Sequence, residues 1–215
     1  MVTETKIYRV LLADDHAMFR QGLRALLERE GIEVIGEATD GIEALRLARE
    51  LQPEVAVIDF SMPVMNGLEV TRELANLSPK VRTILLTMHG EDSYILAALR
   101  AGAWGYVLKT QAAADMIEAI RQVGGGSVYL SPGVSQMIAR AYREKTELTE
   151  DPLSGREHQV LQLIAEGKTT KEIANLLSMS AKTAESHRAR IMKKLNIHET
   201  ASLVRYAIRH GLIEV

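Results

Sequence analysis

Val55-Ala56-Val57-Ile58-Asp59-Phe60-Ser61-Met62-Pro63-Val64-Met65-Asn66-Gly67 is the stretch that decides the fold. Four consecutive apolar residues, mostly β-branched, run straight into a carboxylate, and a proline and a glycine then close the segment. A short apolar run bounded by turn residues suits a strand buried on both faces of a parallel sheet. A carboxylate at the carboxyl end of such a strand lies where open α/β sheets place their ligands. A lone Asp there also reads as the cap of a turn or of the next helix, but Asp59 is not alone.

Working outward, Val10-Leu11-Leu12-Ala13 is a second apolar run, and it ends in Asp14-Asp15. Three carboxylates gathered at two strand ends repel one another. A divalent cation relieves that repulsion, and Mg²⁺ suits one or two carboxylates with waters and a phosphate. A third run, Thr83-Ile84-Leu85-Leu86, ends in the hydroxyl of Thr87, and Tyr106-Val107-Leu108 ends in the cation of Lys109.

Between these runs the pattern alternates. Residues 17–28 carry Met18, Leu23, Leu26 and Leu27 at helical spacing. Residues 33–38 read as a strand, and Asp40 offers an N-cap to a helix over 42–51 that stops before Pro53. Residues 68–77, 94–101 and 112–123 supply three further helices. Five strands alternating with five helices predict a doubly wound α/β fold with a five-stranded parallel sheet.

Gly124-Gly125-Gly126-Ser127 ends the alternation, because three glycines forfeit helix propensity. A short helix is expected over 134–142, and the charged run Arg143 to Pro152 reads as a flexible linker. The expected units are therefore 1–125, a linker 126–152, and 153–215. The last is helical by pattern. Ser154 and Glu157 form a capping box, Gly167 ends that helix, and Thr170 is expected to cap residues 171–177. Ser178-Met179-Ser180 turns the chain into a polar, basic helix over 181–195, and Leu203, Val204, Ala207 and Ile208 line a final one. Two short helices joined by a tight turn read as a helix-turn-helix.

The charge agrees. The whole 215-residue chain is near neutral at −2, yet residues 1–125 hold 13 basic against 18 acidic side chains, and residues 153–215 hold 10 against 6. An acidic first part and a basic last part fit a cation binder joined to a nucleic-acid binder. Zero cysteines exclude a disulfide framework and a thiolate zinc site, and they fit a reducing cytoplasm. No apolar run approaches the ~20 residues of a membrane span, and residues 1–6 lack a signal-peptide core.

The strand-end constellation resembles the receiver domain of two-component response regulators, a flavodoxin-like fold. Residues 59–67 match its D-x-x-M-P-x-x-x-G pattern, which implies Asp59 as phosphoacceptor. The resemblance further implies Asp14, Asp15, Asp59 and the Ser61 carbonyl as Mg²⁺ ligands, Thr87 and Tyr106 as switch residues, and Lys109 as the phosphate-contacting lysine. Thr110 stands where the family often has proline. The last part is similar to the LuxR-type four-helix DNA-binding domain, on residues 153–157, 164–168, 171–174, 183–188, 191–195 and 205–213. Ala184 replaces the usual larger valine, and Glu185 a frequent lysine. Receiver plus LuxR-type domain is the NarL/FixJ-like class.

That class implies a partner histidine kinase, double-stranded DNA, and a homodimer when phosphorylated or DNA-bound. It implies a transcriptional regulator rather than an enzyme, apart from assisting its own phosphoryl transfer and dephosphorylation. Phosphorylation of Asp59 would draw Thr87 toward the phosphoryl group and Tyr106 inward. The helix beginning at Lys182 would lie in the major groove. Glu185, Ser186 and Ala189 are expected to face bases, and Thr183, Arg190, Lys193 and Lys194 phosphates. His187 is expected in a structural or phosphate-contacting role. The alternatives are three: an aspartate-nucleophile phosphatase, which wants a second Asp where Ser61 stands; a signalling module without DNA output; and a DNA binder whose receiver works unphosphorylated.

Overall fold

The computed structural model describes residues 7–88, 92–110, 113–131, 134–135, 152–210 and 212–213. The first part alternates β1 (Arg9–Ala13), α1 (Ala17–Arg29), β2 (Glu33–Ala38), α2 (Gly41–Leu51), β3 (Val55–Asp59), α3 (Gly67–Leu77), β4 (Arg82–Thr87), α4 (Asp92–Arg100), β5 (Gly105–Leu108) and α5 (Ala113–Gly124). A short β6 (Tyr129–Leu130) follows. The strands pair in the order β2-β1-β3-β4-β5-β6, every pair parallel.

The sheet thus has six strands and not the expected five. β6 lies within residues 126–152, expected as linker, and it pairs Gly105 with Tyr129 and Tyr106 with Leu130. Two residues carry no readable period, and the partner edge of β5 supplies the order that sequence alone does not. The helix expected over 134–142 and the run 143–152 lie outside the described residues, apart from Val134, Ser135 and Pro152.

Alternate strand residues point to opposite faces, so the sheet separates two apolar clusters. Leu11, Ala56, Ile58, Leu85 and Tyr106 face α2, α3 and α4, while Val10, Leu12, Val57, Ile84 and Val107 face α1 and α5. Helices on both faces make the sheet doubly wound. β3 is buried along its whole length, as its uninterrupted apolar run requires. Gly67 is needed where α3 begins: a Cβ there would sit 2.2 Å from the Asp59 carbonyl oxygen.

Among the described residues from 152 onward four helices follow: α6 (Gly155–Ala165), α7 (Thr170–Leu176), α8 (Ala181–Leu195) and α9 (Thr200–Arg209). Their own core gathers Val160, Leu161, Ile164, Ile173, Ile191 and Leu203. Ser154 and Glu157 form the expected capping box on α6. The cap of α7 is Thr169 and not Thr170, since the Thr169 hydroxyl accepts from the Glu172 N–H and Glu172 returns the bond. Both threonines were chemically eligible; the acid three residues beyond Thr169 selects it. Asn196, with φ +52, ends α8 in the left-handed region that asparagine tolerates.

Candidate functional site

Parallel register brings the strand ends together. Ala13 lies opposite Ile58, Asp59 opposite Leu86, and Thr87 opposite Leu108. Each polar residue that follows or closes these strands therefore emerges at one edge. Lys109 is the hub: its ammonium lies 2.9 Å from Asp59 Oδ1 and 3.0 Å from Asp14 Oδ2. Asp14, Asp59 and Thr87 are buried, and Asp15 is exposed at the rim.

The second oxygen of Asp59, Oδ2, is buried and has no hydrogen-bond partner among the described residues. One carboxylate oxygen is thus held and the other is left open. Burial pushes the Asp59 carboxyl up, Lys109 pulls it back, and the Asp14 charge adds to the rise, leaving it at about 6. Burial alone would lower Lys109, but Asp59 and Asp14 outweigh that and raise it. The ligand atoms of Asp14, Asp15, His16 and Asp59 all lie within 4.8 Å of one another. An oxygen-rich set with an unpartnered buried carboxylate oxygen fits a hard divalent cation.

Two neighbours escaped the sequence reading. The His16 imidazole lies 2.9 Å from Asp15 Oδ1 and 3.3 Å from Asp14 Oδ1. Its place directly after the acid pair was the available signal. Phe19 sits under the Lys109 ammonium at 5.0 Å from its ring centre, one turn of α1 further on. Tyr106, expected to move inward on phosphorylation, is already fully buried. It belongs to the same apolar cluster as Val134 and Leu130, so these two residues close over this position. The Ser61 hydroxyl is buried without a partner among the described residues.

The other expected surface lies on α8. Its Ala184 and Ile191 are buried, and Lys182, Thr183, Glu185, Ser186, Ala189, Arg190, Lys193 and Lys194 are exposed along the rest. Thr183 pairs its hydroxyl with Ser180, and Ser186 donates to the Lys182 carbonyl. The Lys194 ammonium is held 2.6 Å from Glu157, while His187 is half-buried. Arg188 donates to the Thr200 hydroxyl at 2.6 Å, so it is not the helix partner of Glu185.

Residues 10–121 match the family model described as the response regulator receiver domain, and residues 151–207 match that of bacterial regulatory proteins, luxR family. The chain is 38% identical over 213 residues to the transcriptional regulatory protein MctR of Rhizobium johnstonii, covering 99% of this chain and 98% of that one. It is 41% identical over 206 residues to the response regulator UvrY of Escherichia coli, covering 94% of each. Among solved structures it resembles the response regulator RcsB in complex with DNA, with a TM-score of 0.60, 29% identity, and 94% of this chain and 98% of that chain covered. No helix among the described residues is long and apolar enough to cross a membrane. The chain belongs to the two-component response regulators that join a receiver to a LuxR-type DNA-binding domain.

Proposed function

We propose that Asp59 accepts a phosphoryl group from a phosphohistidine of a sensor kinase, and that the acyl phosphate controls DNA binding by residues 153–215. The observation that carries this reading is the split environment of Asp59: Oδ1 is fixed on Lys109 and Oδ2 is buried and unpartnered. At neutral pH a carboxyl with a pKa of about 6 is largely ionised, so Oδ2 is a nucleophile aimed into the acidic cleft.

Oδ2 attacks phosphorus, the P–N bond to the kinase imidazole breaks, and the nitrogen leaves with the bonding pair. Lys109 holds the carboxylate in place and then faces the phosphoryl oxygens. Thr87, buried at the end of β4, offers its hydroxyl to them, and Tyr106 fills the space behind. Asp14, Asp15, Asp59 and the Ser61 carbonyl would hold Mg²⁺, which supplies charge compensation for the phosphoryl oxygens. The same groups assist hydrolysis of the acyl phosphate, and no other catalysis is assigned. An apolar groove of about 500 Å³ between α1 and α5, lined by Met18, Phe19, Leu23 and Met116, opens beside Lys109 and suits a docking kinase.

The units we assign are 1–125, 126–152 and 153–215, with β6 laid onto the first sheet. Residues of α8 enter the major groove, as a homodimer on paired half-sites, in the compartment that holds the chromosome, the cytoplasm. Glu185, Ser186 and Ala189 face bases; Lys182, Thr183, His187, Arg190, Lys193 and Lys194 position the backbone. RcsB, a similar chain solved with DNA, supports a nucleic-acid partner.

The test is incubation with acetyl phosphate and Mg²⁺, followed by intact mass and DNA titration. A labile phosphoryl adduct that disappears in Asp59→Asn, with a change in DNA affinity only when the adduct is present, is the expected result. DNA binding indifferent to the phosphodonor would return the receiver to an unphosphorylated interaction module.

A further inference from the structure

Two carboxylates and an aromatic ring surround the Lys109 ammonium. It lies 2.9 Å from Asp59 Oδ1 and 3.0 Å from Asp14 Oδ2, and it stands over the Phe19 ring at 5.0 Å from the ring centre. A cation within about 6 Å of an aromatic centre is drawn to the negative face of the ring. The Lys109 side chain is 11% exposed and that of Asp59 3%, so the attraction acts where little water screens it.

The sequence around Phe19 holds the ring in this place. His16 N–H bonds Asp14 Oδ1 at 2.8 Å, which fixes the turn leading into α1. Arg20, next to Phe19, donates to the Asp14 carbonyl and, through Nε, to Glu37 Oε2 at 3.0 Å. The first turn of α1 is thus pinned both to the acidic loop and to β2. On its apolar side the ring packs against the cluster that contains Leu86, Val107 and Met116. Phe19 and Lys109 are also both walls of the groove between α1 and α5. Taking the ring away would open the ammonium to whatever fills that groove, water included.

Phosphorylation alters both carboxylate partners of Lys109. The new Oδ2–P bond makes Asp59 an acyl phosphate, and Oδ1 becomes a neutral carbonyl oxygen that holds an ammonium less strongly than a carboxylate does. Asp14 is assigned to the divalent cation. The Phe19 ring enters neither change, so it is the constant neighbour of the ammonium from start to finish. We propose that Phe19 is a positioning residue for the phosphoryl transfer. Acting through Lys109, its ring keeps the ammonium beside Asp59 as the ammonium turns from the carboxylate to the phosphoryl oxygens. The inference rests on Asp59 being the acceptor. Substitution at position 19 separates this role from packing: leucine keeps an apolar side chain and loses the ring face, whereas tyrosine keeps the face.

The experiment uses the full chain and the variants Phe19→Leu and Phe19→Tyr, with circular dichroism as the check on folding. Adduct formation from acetyl phosphate at fixed Mg²⁺ is followed by intact mass. Phe19→Leu should slow it about three- to tenfold, the scale of a largely desolvated cation–ring contact. Phe19→Tyr should run at the parent rate. In a Lys109→Ala background, where transfer is already slow, Phe19→Leu should make no further difference, because the ring then has no ammonium to hold. Three results each overturn the role: leucine as fast as the parent, tyrosine as slow as leucine, or the same loss from leucine in the Lys109→Ala background. The last two would leave Phe19 a packing residue only. No adduct in the parent removes the Asp59 assignment and this role with it, whereas an adduct whose rate ignores position 19 removes the role alone.

Discussion

Helices α6 and α8 belong to one small unit and are both rich in polar residues, yet they meet opposite environments. On α6, Glu157, His158, Gln159 and Gln162 are each no more than 5% exposed. On α8, the buried positions are Ala184 and Ile191, and every charged residue but the half-buried Arg188 is exposed. The difference teaches that, among the described residues, the receiver holds the DNA-binding unit through α6 and the end of α9, and no hydrogen bond or ion pair joins it to α8. Control through this contact therefore acts on how the unit is held, and not by covering the residues that would touch bases. Interfaces between domains of one chain are commonly polar and releasable, and this one fits that pattern.

The largest expected effect separates the two helices at their source. Asp59→Asn should abolish phosphodonor-driven change at α6 and leave DNA contacts of α8 intact, because the amide keeps the shape without the nucleophile. The same change should stabilise the fold at neutral pH. With a folded value of about 6 against an ordinary 3.8, the Asp59 carboxyl favours the folded state most below 3.8, and that contribution is lost as pH rises through 6. Denaturant titrations should show Asp59→Asn more stable by about 1–3 kcal/mol at pH 7.5 and little different at pH 4. A variant less stable at pH 7.5 contradicts the burial cost assigned to this carboxylate.

A second effect breaks the comparison from the other side. Arg190 and Lys193 are exposed on α8 and hold no ion pair among the described residues, unlike Lys194, which Glu157 already engages. Removing both with alanine should weaken DNA binding roughly 10- to 100-fold and flatten the logarithmic salt dependence by about 1.8, near 0.9 per phosphate contact. Phosphorylation rate and hydrogen exchange at the Asn66 amide should stay as in the parent. A salt slope left unchanged would take both residues off the phosphate backbone.

Much of the receiver was legible because its chemistry follows apolar runs. Each of β1, β3, β4 and β5 announces its end by the first polar residue, so Asp14, Asp59, Thr87 and Lys109 could be placed at one edge before any coordinates. The α6 contact was illegible for the opposite reason. Buried Gln162 and His158 look in sequence like residues of a solvated helix face, and only their partners, about ninety to one hundred residues away, show otherwise. β6 is two residues long and carries no period. The choice between Thr169 and Thr170 rested on a single residue of register, which helix patterns rarely resolve.

A third effect concerns what α8 reads. Glu185 has no ion pair among the described residues, and the arginine three positions on is bonded to Thr200 instead. A carboxylate facing a polyanion needs a specific gain, and a cytosine N4 amino group provides one. Glu185→Ala should relax discrimination at one position of each half-site by about 1–3 kcal/mol against the wrong base, with phosphorylation untouched. Selection of binding sites from random DNA checks it. Preferences unchanged at every position, with binding tighter throughout, would leave Glu185 as mere repulsion.

The smallest effect tests whether the α6 contact depends on charge as well as shape. Burial raises the Glu69 carboxyl, but the hydrogen bond from His158 and the charges of Arg72 and His158 outweigh it, so the group ends below its ordinary value. Arg72 lies on the same helix as Glu69, so only the His158 part of the lowering belongs to docking; that part is fully present above the ordinary value of 4.5 and is lost as pH falls through the lowered one. Through Glu69 the contact should therefore hold from neutral pH down to about 4.5 and weaken below it, by on the order of 1 kcal/mol, the scale of one buried hydrogen bond. Exchange at the Asn66 amide, whose N–H is bonded to Gln162, reports this without involving α8. Glu69→Gln keeps the shape and cannot titrate, so its exchange, once corrected for intrinsic pH dependence, should stay level through that window. If parent and Gln chains lose protection together, the loss belongs to other carboxylates, and the contact is held by the Gln162 and Glu166 bonds to the loop after Asp59.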